Sequence, residues 1–323
     1  MFNYSKYEKA PLIQTKNIQS PKNGQIFYYN ASDNIKIRVG IWSPIITKKN
    51  KTARGTILLQ QGHNEFIEKY FEVIQEFLDR GFYVICFDWR GQGMSGRMIK
   101  DKNKAFIKSF DLHDGDLNEV LTNIIKPFFP KPLIGIGHSM GGCLMLSAFH
   151  DHKNEFDLGV LSAPMLGFKN EKFLRSISSV MNFFKNDSDY LIGSSPNMGI
   201  EANFENNDLT TDSYRYKRTQ ELISKQPSLR LWGVTNAFAK AINERFKIIR
   251  RKGWAEEINL KILVFNNTKD RVVDASKINS IAERLVNKKI IIFSNTEHEI
   301  FMEQDIYRKR MWAEIDQLLS KNL

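Results

Sequence analysis

Short apolar runs bounded by turn residues recur along the chain at residues 36–42, 56–61, 83–88, 133–137, 158–162, 262–265 and 289–293, and they read as strands. Between several of them, apolar positions return at 3.6-residue spacing, predicting helices over 66–78, 117–128, 139–150, 275–286 and 301–319. Strands alternating with helices specify an α/β fold with a mostly parallel sheet covered on both faces. The alternation stops between about Met165 and Ala255. There the pattern gives helices over 171–184, 211–224 and 235–252 and no strand. The chain is therefore expected to form a core from residues 1–164 and 256–323. Residues 165–255 form a helical cap over the carboxyl edge of the sheet, where open α/β sheets place their ligands.

A chain of 323 residues is long enough for one large α/β domain with such an insertion. The start, M-F-N-Y-S-K-Y-E-K, is polar, and no run approaches the roughly 20 apolar residues needed to cross a bilayer. The two cysteines, Cys86 and Cys143, have neither metal-ligand spacing nor the density of a disulfide framework, and read as buried small hydrophobes. A cytoplasmic protein is expected. The net charge is +11, with no nucleic-acid motif beside it. Residues 165–255 hold 15 Lys/Arg against 9 Asp/Glu. Arg215, Lys217, Arg218, Arg250, Arg251 and Lys252 offer peripheral contact with an anionic membrane, each worth about 1 kcal/mol at such a surface. A solvated basic exterior accounts for the same charge.

The chemistry concentrates where the run 133–136 breaks into Gly137-His138-Ser139-Met140-Gly141. This is the G-x-S-x-G pattern, in which a strand turns sharply into a helix and lifts a serine out of the sheet. The glycines are steric requirements, since side chains two residues either side of the strained serine would collide. A serine hydroxyl is a poor nucleophile until a base takes its proton, so the motif demands a histidine and an acid further along.

Six histidines allow elimination. His138 lies inside the motif with its side chain directed away from the serine. His150 and His152 end the following helix, about 16 Å from Ser139 at 1.5 Å per residue. His63 and His113 precede the serine, against the Ser…Asp…His order of this motif. His298 remains, in the loop S-N-T-E-H-E after the last predicted strand. The acid should end a strand between them. The run 158–162 exits into Ala163 and Pro164, whereas 262–265 exits into N-N-T-K-D-R-V-V-D. Asp274 directly precedes a helical run and reads as its N-cap, leaving Asp270 as the acid that orients the imidazole. Donors for the tetrahedral oxyanion are expected from the backbone N–H of Met140 and of His63, the latter in the loop Q-G-H-N-E-F after the strand 56–61.

Two other motifs are read as structural. D-W-R-G-Q-G-M-S-G-R from Asp88 has glycines spaced like a dinucleotide fingerprint, but no acidic residue ends a next strand at the right distance. Asp88 and Arg90 are expected to tie the loop that supports the serine turn. D-L-H-D-G-D-L from Asp111 resembles a metal cluster, yet an Asp-rich helix N-terminus explains it better. No cofactor or metal is expected.

Taken together, G-H-N-E-F-I-E-K-Y (Gly62–Tyr70), D-W-R-G-Q-G-M-S-G-R, G-H-S-M-G-G, V-L-S-A-P-M-L-G, L-T-T-D-S-Y-R-Y (Leu209–Tyr216), D-R-V-V-D and E-H-E-I resemble the lysophospholipase and monoacylglycerol lipase branch of the α/β-hydrolases. The resemblance covers about residues 55–305. It implies an α/β-hydrolase fold with an eight-stranded sheet, and a serine ester hydrolase acting on a lysophospholipid or a monoacylglycerol. A carboxylesterase or thioesterase with the same three residues is the alternative; a binding protein on this fold would not require all three. One departure is that many members carry His-Gly at the oxyanion loop, where this chain has Gln61-Gly62. The apolar positions Phe168, Phe173, Leu174, Ile177, Val180, Met181, Phe183 and Phe184 could line an acyl channel or simply pack helices.

Overall fold

A computed structural model describes residues 2–45, 52–169, 186–196 and 203–323. The strands are β1 (Glu8–Lys9), β2 (Gly24–Asn30), β3 (Lys36–Trp42), β4 (Gly55–Gln60), β5 (Phe82–Phe87), β6 (Leu133–His138), β7 (Leu158–Ser162), β8 (Lys261–Asn267) and β9 (Asn287–Phe293). They form one sheet in the order β1-β2-β3-β5-β4-β6-β7-β8-β9. The pairings β1·β2, β2·β3 and β3·β5 are antiparallel, and the five from β5 to β9 are parallel. The expected α/β-hydrolase sheet is therefore present, with nine strands instead of eight. β1 and β2 escaped the hydrophobic pattern because they lie at the antiparallel edge. There β1 is exposed and only Ile26 and Phe27 of β2 are buried.

β4 and β6 are buried at every position, because helices cover both faces of the parallel region. Alternate residues feed opposite cores. Leu58 and Ile85 pack on the face of helices α2 (Phe110–Val120) and α3 (Ser139–Asp151), while Ile57, Leu59 and Val84 pack on the face of α1 (Phe71–Asp79) and α7 (Asp305–Asn322). α2 starts at Phe110, earlier than the apolar spacing indicates. Ser109 caps it by accepting the Asp111 N–H at 3.1 Å. The acidic run is helical because tertiary partners take its charges: Arg245 pairs with Asp114, and Arg90 with Asp116 and Asp33.

Between β7 and β8 lie α4 (Ser213–Lys225) and α5 (Asn236–Ile249), with α6 (Ala275–Ala282) after β8 and no strand in that insertion among the described residues. The predicted helix 171–184, and with it every apolar channel position except Phe168, falls outside the described residues. Ion pairs fasten α4 and α5 to the core. Arg215 engages Glu72 at 2.6 Å, Asp305 at 2.7 Å and Asp212 at 2.8 Å, and Arg218 engages Glu72 at 2.7 Å. Arg245 donates to Ser147 Oγ at 2.6 Å. Arg215 is thus buried and paired, and cannot rest on a membrane as the sequence reading allows. Lys217, Arg251 and Lys252 are exposed. No helix of the described residues is long and apolar enough to cross a membrane.

A Cβ on Gly141 would lie 2.4 Å from the Gln61 carbonyl oxygen and 2.6 Å from that of Gln60, backbone atoms that cannot swing away. Gly141→Ala is therefore expected to destabilise the fold by about 1–3 kcal/mol, the usual cost of overpacking. Gly115→Ala, in α2 with open space around it, is expected to be stabilising by roughly 0.5–1 kcal/mol. Urea unfolding midpoints of the two variants check both signs.

Candidate active site

β6 runs directly into α3, and Ser139 sits at the junction with φ +49°, in the left-handed region that an L-residue avoids. The crowding that holds it there is visible at three glycines. A Cβ on Gly137 would meet the Gly141 carbonyl oxygen at 2.6 Å, one on Gly141 the Gln61 oxygen, and one on Gly62 the Ser139 Cβ at 3.1 Å. The loop after β4 therefore runs against the serine itself. Met165 donates its N–H to the Ser139 carbonyl at 2.9 Å, closing the turn from the β7 side.

His298 and Asp270 come together behind this turn. The His298 Nδ1 is 2.7 Å from Asp270 Oδ2, and both side chains are buried. Asp270 Oδ1 accepts the N–H groups of Val272 at 2.7 Å and Val273 at 2.9 Å. Burial alone would raise the Asp270 carboxyl, but the His298 hydrogen bond and charge with these N–H groups hold it below the ordinary range. Asn267, at the end of β8, fixes the loop of His298 by donating from Nδ2 to the carbonyls of Thr296 at 2.6 Å and Glu297 at 2.5 Å. The ring of His298 lies 4.7 Å from that of His138, the residue just before the serine. His138 in turn binds the Ser162 carbonyl through Nδ1 at 3.1 Å, and burial lowers its pKa to about 3, so it is neutral.

The loop after β4 is held from several sides. Gln61 gives its carbonyl to Trp89 Nε1 at 2.9 Å and its amide to Asp88 at 3.1 Å. Asn64, at φ +60°, donates its N–H to Gln92 Oε1 at 2.6 Å and exchanges side-chain bonds with the Leu231 backbone. Asp88 also accepts from Ile67, Met94 and Arg38, as the reading of its loop expects. Among the described residues, no protein group accepts the His63 N–H. Met140 is the second residue of α3, where the helix itself offers no carbonyl for the N–H. The His63 ring packs on Phe238 of α5 at 4.6 Å, and burial lowers its pKa to about 4.

Other candidates are placed elsewhere. His113 is buried beside the Ser109 carbonyl, and His150 stacks on Trp254 at the far end of α3. Asp274 caps α6 through the Ser276 N–H at 2.9 Å. The thiols of Cys86 and Cys143 are buried, and burial raises both pKa values, that of Cys143 to about 12. The sequence reading missed a buried group around the loop. Lys69 Nζ bridges Glu65 Oε1 at 2.6 Å and Glu299 Oε1 at 2.5 Å. Glu65, His138 and Glu299 bring ligand-type atoms within 4.8 Å of one another, with the Lys69 ammonium already on the two carboxylates. The Glu65–Lys69 pair, at i and i+4, was visible in the sequence; Glu299, 230 residues from Lys69, was not.

A serine on a strained strand-to-helix turn, at the carboxyl edge of a largely parallel sheet with a helical insertion, defines the α/β-hydrolase class. The chain belongs to the family described as serine aminopeptidase, S33, whose model matches residues 51–305. It is 24% identical over 281 residues to a probable lysophospholipase L2 of Haemophilus influenzae, covering 85% of this chain and 87% of that protein. It is 22% identical over 281 residues to a monoacylglycerol lipase of Mycolicibacterium smegmatis, covering 84% and 89%. Among solved structures, a soluble variant of monoglyceride lipase from Saccharomyces cerevisiae, in complex with a substrate analog, superposes with a TM-score of 0.71 at 18% identity. The match covers 95% of this chain and 98% of that one. These relatives place the chain in the lysophospholipase and monoacylglycerol lipase branch, a group of carboxylic ester hydrolases.

The two aspartates of the loop after β8 separate cleanly. Asp270→Asn removes the acceptor that fixes the His298 tautomer and is expected to lower kcat on a p-nitrophenyl ester by roughly 10³–10⁴-fold with the fold intact. Asp274→Ala removes only a helix cap; it should cost about 1 kcal/mol of stability and leave kcat unchanged. Steady-state rates beside thermal midpoints distinguish the two.

Proposed function

We propose that the chain hydrolyses the acyl ester of a single-chain lipid, a lysophospholipid or a monoacylglycerol, through Ser139, His298 and Asp270. The observation that carries this reading is the 2.7 Å contact of His298 with Asp270, beside a serine held at φ +49°. Ser139 Oγ attacks the acyl carbonyl while His298 Nε2 takes its proton. Asp270 holds the Nδ1–H and stabilises the imidazolium without itself becoming protonated. The N–H groups of His63 and Met140 receive the oxyanion. Collapse breaks the ester bond, and the departing alcohol takes the proton from His298. Water then attacks the acyl-enzyme with His298 again as base, releasing the fatty acid and restoring Ser139.

Residues 165–255 act as the cap of this site in the same reading. The exposed basic residues Lys217, Arg251 and Lys252 provide peripheral contact with an anionic membrane that supplies the substrate. The lipid assignment is supported by the names of the relatives, a probable lysophospholipase and a monoacylglycerol lipase.

The test is a panel of lysophosphatidylethanolamine, monoacylglycerol, acyl-CoA and short p-nitrophenyl esters, run with the wild type and Ser139→Ala. The highest kcat/KM is expected on one of the two single-chain lipids, falling by at least about 10⁴-fold in the alanine variant. Turnover that survives in Ser139→Ala overturns the mechanism, and activity confined to acyl-CoA overturns the substrate.

A further inference from the structure

The loop bearing His63 and the loop bearing His298 come from opposite ends of the chain, yet both must be placed on one reacting carbonyl. The group that joins them is buried and ionic. Glu65 Oε2 accepts the Gly62 N–H at 2.5 Å and the Tyr70 hydroxyl at 2.8 Å. Its Oε1 accepts from Lys69 Nζ at 2.6 Å, and the same ammonium reaches Glu299 Oε1 at 2.5 Å. The three ionic side chains are 5–6% exposed. Gly62 immediately precedes His63, and Glu299 immediately follows His298.

We propose that Glu65, acting through Lys69 and Glu299, is a positioning residue that sets the oxyanion loop in register with the base; this rests on the triad reading given above. Charge-assisted hydrogen bonds in a dry site are shorter and stiffer than neutral ones. Gly62 gives up its N–H to Glu65, and Asn64 gives its own to Gln92, so the peptide between them is held from both sides. That leaves the His63 N–H for substrate. A structural anchor would need only the Gly62–Glu65 bond. Continuation through Lys69 to the neighbour of His298 is what a register device requires, because displacements near 1 Å at a reacting centre cost about 10²-fold in rate.

Glu65→Gln is the discriminating variant. It keeps the volume, but its single acceptor oxygen can serve Gly62 and Tyr70 or Lys69, and the NH₂ faces a donor on the other side. The expected result is a kcat lowered roughly 10–100-fold with KM within about twofold of wild type, because the lost interaction is made only in the transition state. An alkyl boronic acid, whose tetrahedral adduct on Ser139 carries an oxygen into the oxyanion site, should bind more weakly by the same factor as kcat falls. Glu299→Gln cuts the other end of the link and should give the same kcat-weighted loss; it decides the matter if Glu65→Gln does not fold. Wild-type kcat in either folded variant, or a loss carried by KM with boronate affinity unchanged, overturns the proposal. Ser139→Ala run alongside separates the two failures. If it is inactive while Glu65→Gln matches wild type, only the register device falls; if it is active, the triad reading falls first.

Discussion

The carboxyl edge of the sheet depends on the approach of two backbones, α3 at Gly141 and the end of β4 at Gln60–Gln61. No side chain fits between them, since a Cβ on Gly141 would stand 2.4 Å from the Gln61 oxygen. That closeness obliges the chain to turn within one residue, and the residue that turns is Ser139 at φ +49°. It also brings the loop after β4 against the serine, at Gly62. A longer junction between β6 and α3 would relax the serine and move this loop away. One steric constraint therefore fixes both the backbone conformation of Ser139, itself buried, and the approach of the loop after β4 to it.

Electrostatics then sorts the buried histidines. His113 and His138 hold backbone carbonyls, His63 packs on an aromatic ring, and burial lowers all three, so each is neutral near pH 7. His298 is the buried one with a carboxylate on a ring nitrogen. Other buried carboxylates and cations follow the rule that buried charge must be paired. Arg38 is wholly buried between Glu68 and Asp88, and Asp88 in turn holds the N–H groups of Ile67 and Met94. These ion pairs tie β3 to the segments that follow β4 and β5.

Much of this fold is legible in the sequence. The parallel strands β4 to β8 are apolar because both faces are covered, and such runs stand out in a sequence. His298 and Asp270 were reachable because few histidines exist and chain order restricts them. What escaped has physical reasons. β2 alternates weakly at an antiparallel edge, and the first turns of α2, read from their aspartates as a helix N-terminus, carry too few apolar residues for the spacing to reach back to Phe110. Arg215 reads as a surface cation from composition, yet Glu72, Asp212 and Asp305 surround it. Long-range partners of this kind leave no periodicity. The same holds for Glu299, whose partner Lys69 lies 230 residues away.

The segment leading into α4 is stitched to the loop that carries His298. Glu299 donates its N–H to the Leu209 carbonyl at 2.7 Å, Thr210 Oγ1 donates to the Met302 carbonyl at 2.7 Å, and the Glu303 carboxylate accepts from Thr211 and Glu297. Insertions over an α/β sheet are often pictured as exchangeable parts, free to diverge while the machinery beneath stays fixed. Here the seam runs through the loop that carries His298. Recombining this insertion with that of another protein would also replace several of the hydrogen bonds that hold the loop of His298, so residues 207–212 and 297–303 form one inheritable unit. Divergence in what the site accepts is then confined to parts of the insertion outside that unit, and changes in the two segments must occur together.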